Sequence, residues 1–278
     1  MNKKNYSAIK KIFLYTILSI YGLITVLPLL WMGIISLKTS DEIFLKPFAL
    51  PETLHFENYT KAWKLVNIGE LMGNSIFVTT VATLIAILVS ILASYALARI
   101  KFKLKFHIYI FFLFGIMIPV YTVMFPVFML NKMLNLGDTY IALIGPYIAF
   151  SIPINILILV GFMKNIPTAI EESAFLDGAG LWKILISIVI PILKPAIATV
   201  AILNFLNNWN EFVLSLVLIS KSTMKTLPVG IASIAGQYTS NYEIMAAGLM
   251  FAVVPVMLFY IILQKYIVEG MTAGAVKG

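Results

Sequence analysis

Apolar residues fall in six long runs, roughly 12–35, 72–98, 108–130, 139–163, 189–219 and 245–267, separated by short stretches that hold most of the charges. A helix needs about 20 apolar residues to cross about 30 Å of hydrocarbon, and each run is long enough. The pattern predicts six spanning helices. Two polar stretches interrupt it: a segment over 38–70, and an island over 165–188 between the fourth and fifth runs. The first run follows Lys3, Lys4, Lys10 and Lys11. It is too long for the apolar part of a signal peptide and has no small-x-small cleavage site after it, so it reads as a span.

Within the runs, the exceptions to apolarity carry the information. Pro119, Pro126, Pro146 and Pro153 predict that the third and fourth spans are broken, with neighbouring helices satisfying the freed carbonyls. Ser75, Thr79, Ala82, Thr83, Ala86, Ser90, Ala93 and Ser94 share one face of the second span, where small side chains let another helix pack closely. In the fifth span Asn204, Asn207, Asn208, Glu211 and Ser215 form one polar stripe at about 100° per residue. Such groups are costly against lipid. The stripe either glues helices together by hydrogen bonds or lines a path for a hydroxyl-rich solute, since amides and a carboxylate offer both donors and acceptors.

The island reads as a helical hairpin. Asn165 is a capping residue, Pro167 fits a first turn, and Glu171 and Glu172 suit the N-terminal half of a helix. Gly178 and Gly180 stop that helix, and a second one runs from Leu181 to about Ile190, ahead of Pro191 and Pro195. Ser173, Ala174 and Gly178 leave one side bare. The hairpin is either an ordinary connector or a part that docks into a partner.

The chain of 278 residues is 61% hydrophobic and 12% charged, against roughly 45–50% and 25% in soluble domains, which makes it an integral membrane protein. It has no cysteine, which excludes disulfides, thiolate catalysis and iron–sulfur clusters. His55 and His107 lie in polar loops and read as solvated. The net charge of +8 is spread between spans with no aromatic-interleaved patch, so nucleic acid is not implied. With the N-terminus inside, thirteen basic residues fall on the inner side and seven on the outer, which predicts cytoplasmic termini and a cytoplasmic island. Arg99 stands alone among nineteen lysines and reads as compositional bias.

Glu172-Ser173-Ala174, three residues, Gly178, nine residues, then Ile188-x-Ile190-Pro191 resembles the EAA motif of ABC importer permeases, departing from it at Ser173 and Ile190. Trp209-Asn210-Glu211-Phe212 and the run from Ser36 to Phe44 resemble the same places in carbohydrate-type permeases. The tail from Gln264 to Gly278 resembles the terminal signature of the maltose, or multiple-sugar, branch.

That resemblance implies an all-α, six-span, type I importer (MetI-like) fold and the second, MalG-like, permease of a pair. The expected divisions are 1–68, a core over 69–266 and a cytoplasmic tail over 267–278. Expected partners are a homologous MalF-like permease, two ATPase subunits that hold the ATP and Mg, an extracytoplasmic solute-binding protein, a sugar and membrane lipid. The chain itself is expected to hold no cofactor and no metal, to be no enzyme, and to sit in the bacterial plasma membrane. Glu171, Glu172, Ser173, Ala174, Asp177 and Gly178 are the expected ATPase-coupling residues, and Glu269, Gly270, Thr272, Gly274 and Lys277 the ATPase-contacting tail. Asn204, Asn207, Asn208 and Glu211 are the expected pathway, driven through a rigid fifth span. Two other readings stay open: a self-powered carrier or channel, and an importer permease for a polyol or glycerol phosphate.

Overall fold

Backbone groups inside hydrocarbon have no water to bond, so long apolar runs can only fold as helices that satisfy their own N–H and C=O groups. A computed structural model describes the backbone of residues 3–237 and 241–275, and the side chains of 10–234 and 241–264. It begins with α1 (Lys3–Ile35), α2 (Ser40–Leu45), α3 (Glu57–Leu65) and α4 (Ile68–Arg99). Next come α5 (Lys105–Met117), α6 (Val120–Met133), α7 (Tyr140–Asn165) and α8 (Thr168–Leu176). α9 (Leu181–Ile184), a π turn over Leu185–Val189 and α10 (Ile190–Ile192) lead into α11 (Lys194–Trp209). α12 (Val213–Leu218), α13 (Leu227–Gln237) and α14 (Tyr242–Ala275) complete an all-α chain, with no strand among the described residues. Among the described residues four helices are long and apolar enough to span, and up to six spans result if each of two sharply bent pairs is one.

The third span is broken as its prolines predict, whereas the fourth and fifth spans depart from expectation. α5 and α6 meet at 102°, because Pro119 forces Ile118 into an extended conformation (φ −82°, ψ 112°) and the helix cannot pass through. α7, by contrast, runs unbroken past Pro146 and Pro153. The predicted fifth span is not one rod: the segment Leu181–Ile192 bends by 75° into α11, and α11 ends at Trp209. Asn165 is the last residue of α7 rather than a cap, and Pro167 occupies the capping position of α8.

The chain forms two compact units. The first comprises 1–68 and 231–254. Here the polar 38–70 segment is ordered by its own side chains. Thr39 and Glu42 make a reciprocal capping box on α2, and Glu42 also accepts from the Glu52 N–H (2.9 Å). The buried Asn58 amide donates to the carbonyls of Ser36 (3.0 Å) and Lys38 (2.9 Å). Ser40 donates to Glu243 (2.8 Å), and Tyr59 and Trp63 pack edge-on against Phe251.

The second unit comprises 69–230 and 255–278. The small-residue face of α4 is its interior: Ser75, Thr79, Ala82, Ala86, Ser90 and Ser94 are all buried. Ile87, Ile91 and Tyr95 of α4 pack with Leu159 and Met163 of α7, with Leu185 and Val189 of the π turn, and with Val200 of α11. Towards the other end of α4, Val78 and Ala82 pack with Leu143, Tyr147 and Leu214. α5 lies so close to α7 that a Cβ added at Gly115 would come within 2.8 Å of Pro153.

Asp138 ties the loop before α7 to the segment after α12. Its Oδ1 accepts from the N–H groups of Ser220 (2.6 Å) and Lys221 (2.8 Å), which holds its carboxyl below the ordinary range. A lowered folded pKa means the tie stabilises fully above the unfolded value of about 4 and is lost as pH falls through the folded one. Asp138→Asn should therefore lower the melting temperature in detergent at pH 7, and the gap to wild type should shrink on acidification below about pH 4.

Candidate functional site

Two places in the second unit gather the sequence-predicted residues. The first is the hairpin of α8 and α9. α8 ends in a Schellman turn: the Gly178 N–H bonds to the Phe175 carbonyl (3.0 Å) and the Ala179 N–H to the Ala174 carbonyl (3.0 Å). Gly178 has φ +85°, the left-handed conformation that glycine alone adopts freely. Gly180 has φ −73° and leads into α9 instead of ending α8. Ala174 packs on the core, while Ser173 and Asp177 are exposed.

The two glutamates of α8 diverge. Glu172, the first residue of the EAA-like motif, is exposed, whereas Glu171 is buried against α4. Arg99 donates from Nε to Glu171 Oε1 (2.6 Å), and Tyr95 donates its hydroxyl to Oε2 (3.3 Å). A second guanidinium nitrogen of Arg99 donates to the Ile166 carbonyl (2.8 Å), just beyond the end of α7. Arg99 thus joins three helices. Its role was missed in the sequence, although its rarity among the lysines was the available signal. Beside it opens a groove of about 650 Å³, walled by Tyr95, Thr168, Glu172 and the exposed side chains of Phe175, Leu176 and Leu181.

The second place is a cavity of about 360 Å³ within the helix bundle. Asn204, Asn207, Asn208 and Glu211 line it together, facing Tyr147, Phe150 and Ser151 of α7. Ser215 does not join them. Glu211 accepts from the N–H groups of Leu214 (2.7 Å) and Ser215 (3.1 Å), so its carboxylate caps α12 and starts a new helix there. Ser215 is turned inward, where its hydroxyl accepts from Thr226 (2.8 Å). Tyr147 donates to Glu211 (2.9 Å), and Asn208 donates to Thr83 of α4 (3.4 Å). Asn204 is buried with both amide atoms lacking a protein partner. The volume falls in the range of small-ligand sites, about 300–1,000 Å³. The lining includes no basic side chain. Among the described residues no group of three or more His, Cys, Asp or Glu could hold a metal.

The predicted tail is placed only in part. Glu269, Gly270, Thr272 and Gly274 belong to the helical backbone of α14, while their side chains, and Lys277 altogether, lie outside the described residues.

A sequence model of the family described as "binding-protein-dependent transport system inner membrane component" matches residues 86–273, which include both places. This chain belongs to that family. As a member it is a permease subunit rather than an enzyme, and its membrane location is multi-pass. The permease is 33% identical to the diacetylchitobiose uptake system permease protein of Streptomyces coelicolor, over 95% of its own length and 88% of that protein's. It is 31% identical to the arabinooligosaccharides transport system permease protein of Bacillus subtilis, over 92% of each. To the trehalose transport system permease protein of Mycobacterium tuberculosis it is 33% identical, over 91% and 92%. Its fold matches a chain of a bacterial ABC transporter involved in importing the acidic polysaccharide alginate, with a TM-score of 0.82 at 22% identity over 96% and 98%.

The glycine that ends α8 is open to a direct test. A Cβ at Gly178 would meet no atom within 4 Å, so only its backbone conformation resists substitution. Gly178→Ala should cost about 1–2 kcal/mol, read as a lower melting temperature in detergent. Gly178→Asn should cost less, because asparagine tolerates the left-handed region.

Proposed function

We propose that this permease passes a sugar or oligosaccharide through the cavity beside Asn204, Asn207, Asn208 and Glu211, driven by ATPase subunits that grip the α8–α9 hairpin. The observation that carries this reading is the agreement of sugar-transport relatives along nine-tenths or more of the chain. Three amides, a carboxylate and the Tyr147 and Ser151 hydroxyls supply both senses of hydrogen bond to a polyhydroxylated solute, and Phe150 supplies an apolar wall.

The hairpin suits mechanical coupling. Its exposed Phe175, Leu176 and Leu181 offer a partner an apolar surface, and Ser173, Asp177 and Gly178 edge it with small or polar groups. A homologous second permease, two ATPases and an extracytoplasmic solute-binding protein complete the assembly. A related alginate transporter has been crystallised in complex with an alginate pentasaccharide-bound periplasmic protein, which supports the last of these. The basic residues favour cytoplasmic termini and a cytoplasmic hairpin.

The full assembly, reconstituted in liposomes with its binding protein, should take up sugar only when ATP is supplied. Uptake by this chain alone would instead indicate a self-powered carrier. Gly178→Trp should leave ATP hydrolysis and assembly in place while uptake falls; wild-type uptake would count against coupling through the hairpin. Because the chain has no cysteine, Asp177→Cys provides a unique label. An impermeant maleimide should reach it in inverted membrane vesicles and not in intact cells.

A further inference from the structure

The fifth span is divided by a π turn and a 75° bend, so it is a poor rod for carrying motion from the α8–α9 hairpin to the cavity. α4 has the properties α11 lacks. It is 32 residues long, contains no proline, and is not bent into a neighbour, whereas α5 and α6 meet at 102°; α7 is also continuous, and Arg99 ties its end into the same joint. α4 is tied at its C-terminus and at its middle. Near its C-terminus, Arg99 and Tyr95 hold Glu171 of the hairpin. Sixteen residues earlier, about 24 Å along the axis, Thr83 accepts from Asn208 in the cavity wall.

We propose that Arg99 is a positioning residue which clamps the hairpin to α4, making α4 the element that transmits hairpin movement to the cavity. The proposal rests on the importer reading. The side chains of Arg99 and Glu171 are 12% and 11% exposed, so the pair is largely buried at the edge of the groove and screened less by salt than a surface pair. Removing either partner leaves the other charge buried and unpaired, which breaks the joint. Arginine is the residue that geometry requires here. One planar fork bonds the carboxylate of α8 and the carbonyl of Ile166 together, whereas a lysine ammonium in its place would act as a point charge. When the hairpin moves, α8, the end of α7 and α4 move as one body. Asn208 and the cavity wall follow through Thr83.

The test uses the complete transporter in liposomes and reads sugar imported per ATP hydrolysed, with recovery of the ATPase subunits on purification as the measure of assembly. Arg99→Gln and Glu171→Gln should each lower the ratio by at least about threefold, and the double variant should be no worse than either alone. Arg99→Lys should fall between Arg99→Gln and wild type. A merely structural role would instead lower recovery and leave the ratio unchanged in whatever assembles. An unchanged ratio in the single variants, or losses that multiply in the double, overturns the clamp. If Arg99→Gln does not assemble, Arg99→Lys decides: a reduced ratio supports the clamp and a wild-type ratio overturns it. A wild-type complex that imports without ATP overturns both the clamp and the importer reading, whereas ATP-dependent wild-type import with unaltered variants overturns the clamp alone.

Discussion

In an apolar solvent each polar group must find its partner within the protein, and that constraint shapes this permease more than any packing preference. The same need arises wherever burial removes water, and it explains why two buried or half-buried carboxylates of the second unit are occupied. Glu171 is held by Arg99 and Tyr95, and Glu211 by two backbone N–H groups and Tyr147. At Glu211 this coincides with a break in continuity: α11 ends at Trp209, and the carboxylate accepts from the first turn of α12, which begins at Val213. The carboxylate that lines the cavity is, by the same bonds, the one that caps α12.

The same constraint connects the hairpin to the bundle. α8 is short and much of its surface is exposed, so packing alone holds it weakly. Its attachment comes instead from one buried ion pair, from Ala174 and Ala179 against the core, and from a Schellman turn that fixes the direction of the chain into α9. The hairpin is therefore firm at its base and bare at its tip, as the coupling role proposed for it requires.

Much of this was legible in the sequence because it rests on local rules. Length and hydropathy located the helices, the small-residue face of α4 marked its buried side, and Gly178 marked the end of α8. What escaped depends on partners distant in the chain. Proline content gave the same warning for both regions, yet Pro119 produces a 102° turn while Pro146 and Pro153 sit inside a continuous α7. Helical periodicity put Ser215 on the polar stripe because nothing in hydropathy reveals that Glu211 will seize the N–H groups of residues 214 and 215. Arg99 and Glu171 are 72 residues apart, and only the fold brings them together.

Among the described residues, six buried side-chain atoms stand outside this otherwise well-satisfied interior: the amides of Asn155 and Asn204 and the hydroxyls of Ser90 and Ser94 have no protein partner. Leucine or alanine at these positions would relieve the cost of desolvating them. Of these four side chains only that of Asn204 lines the cavity, so at that position heat resistance and a polar cavity wall pull in opposite directions. A thermostabilised descendant with leucine there would gain durability and lose two hydrogen-bonding atoms from the cavity wall.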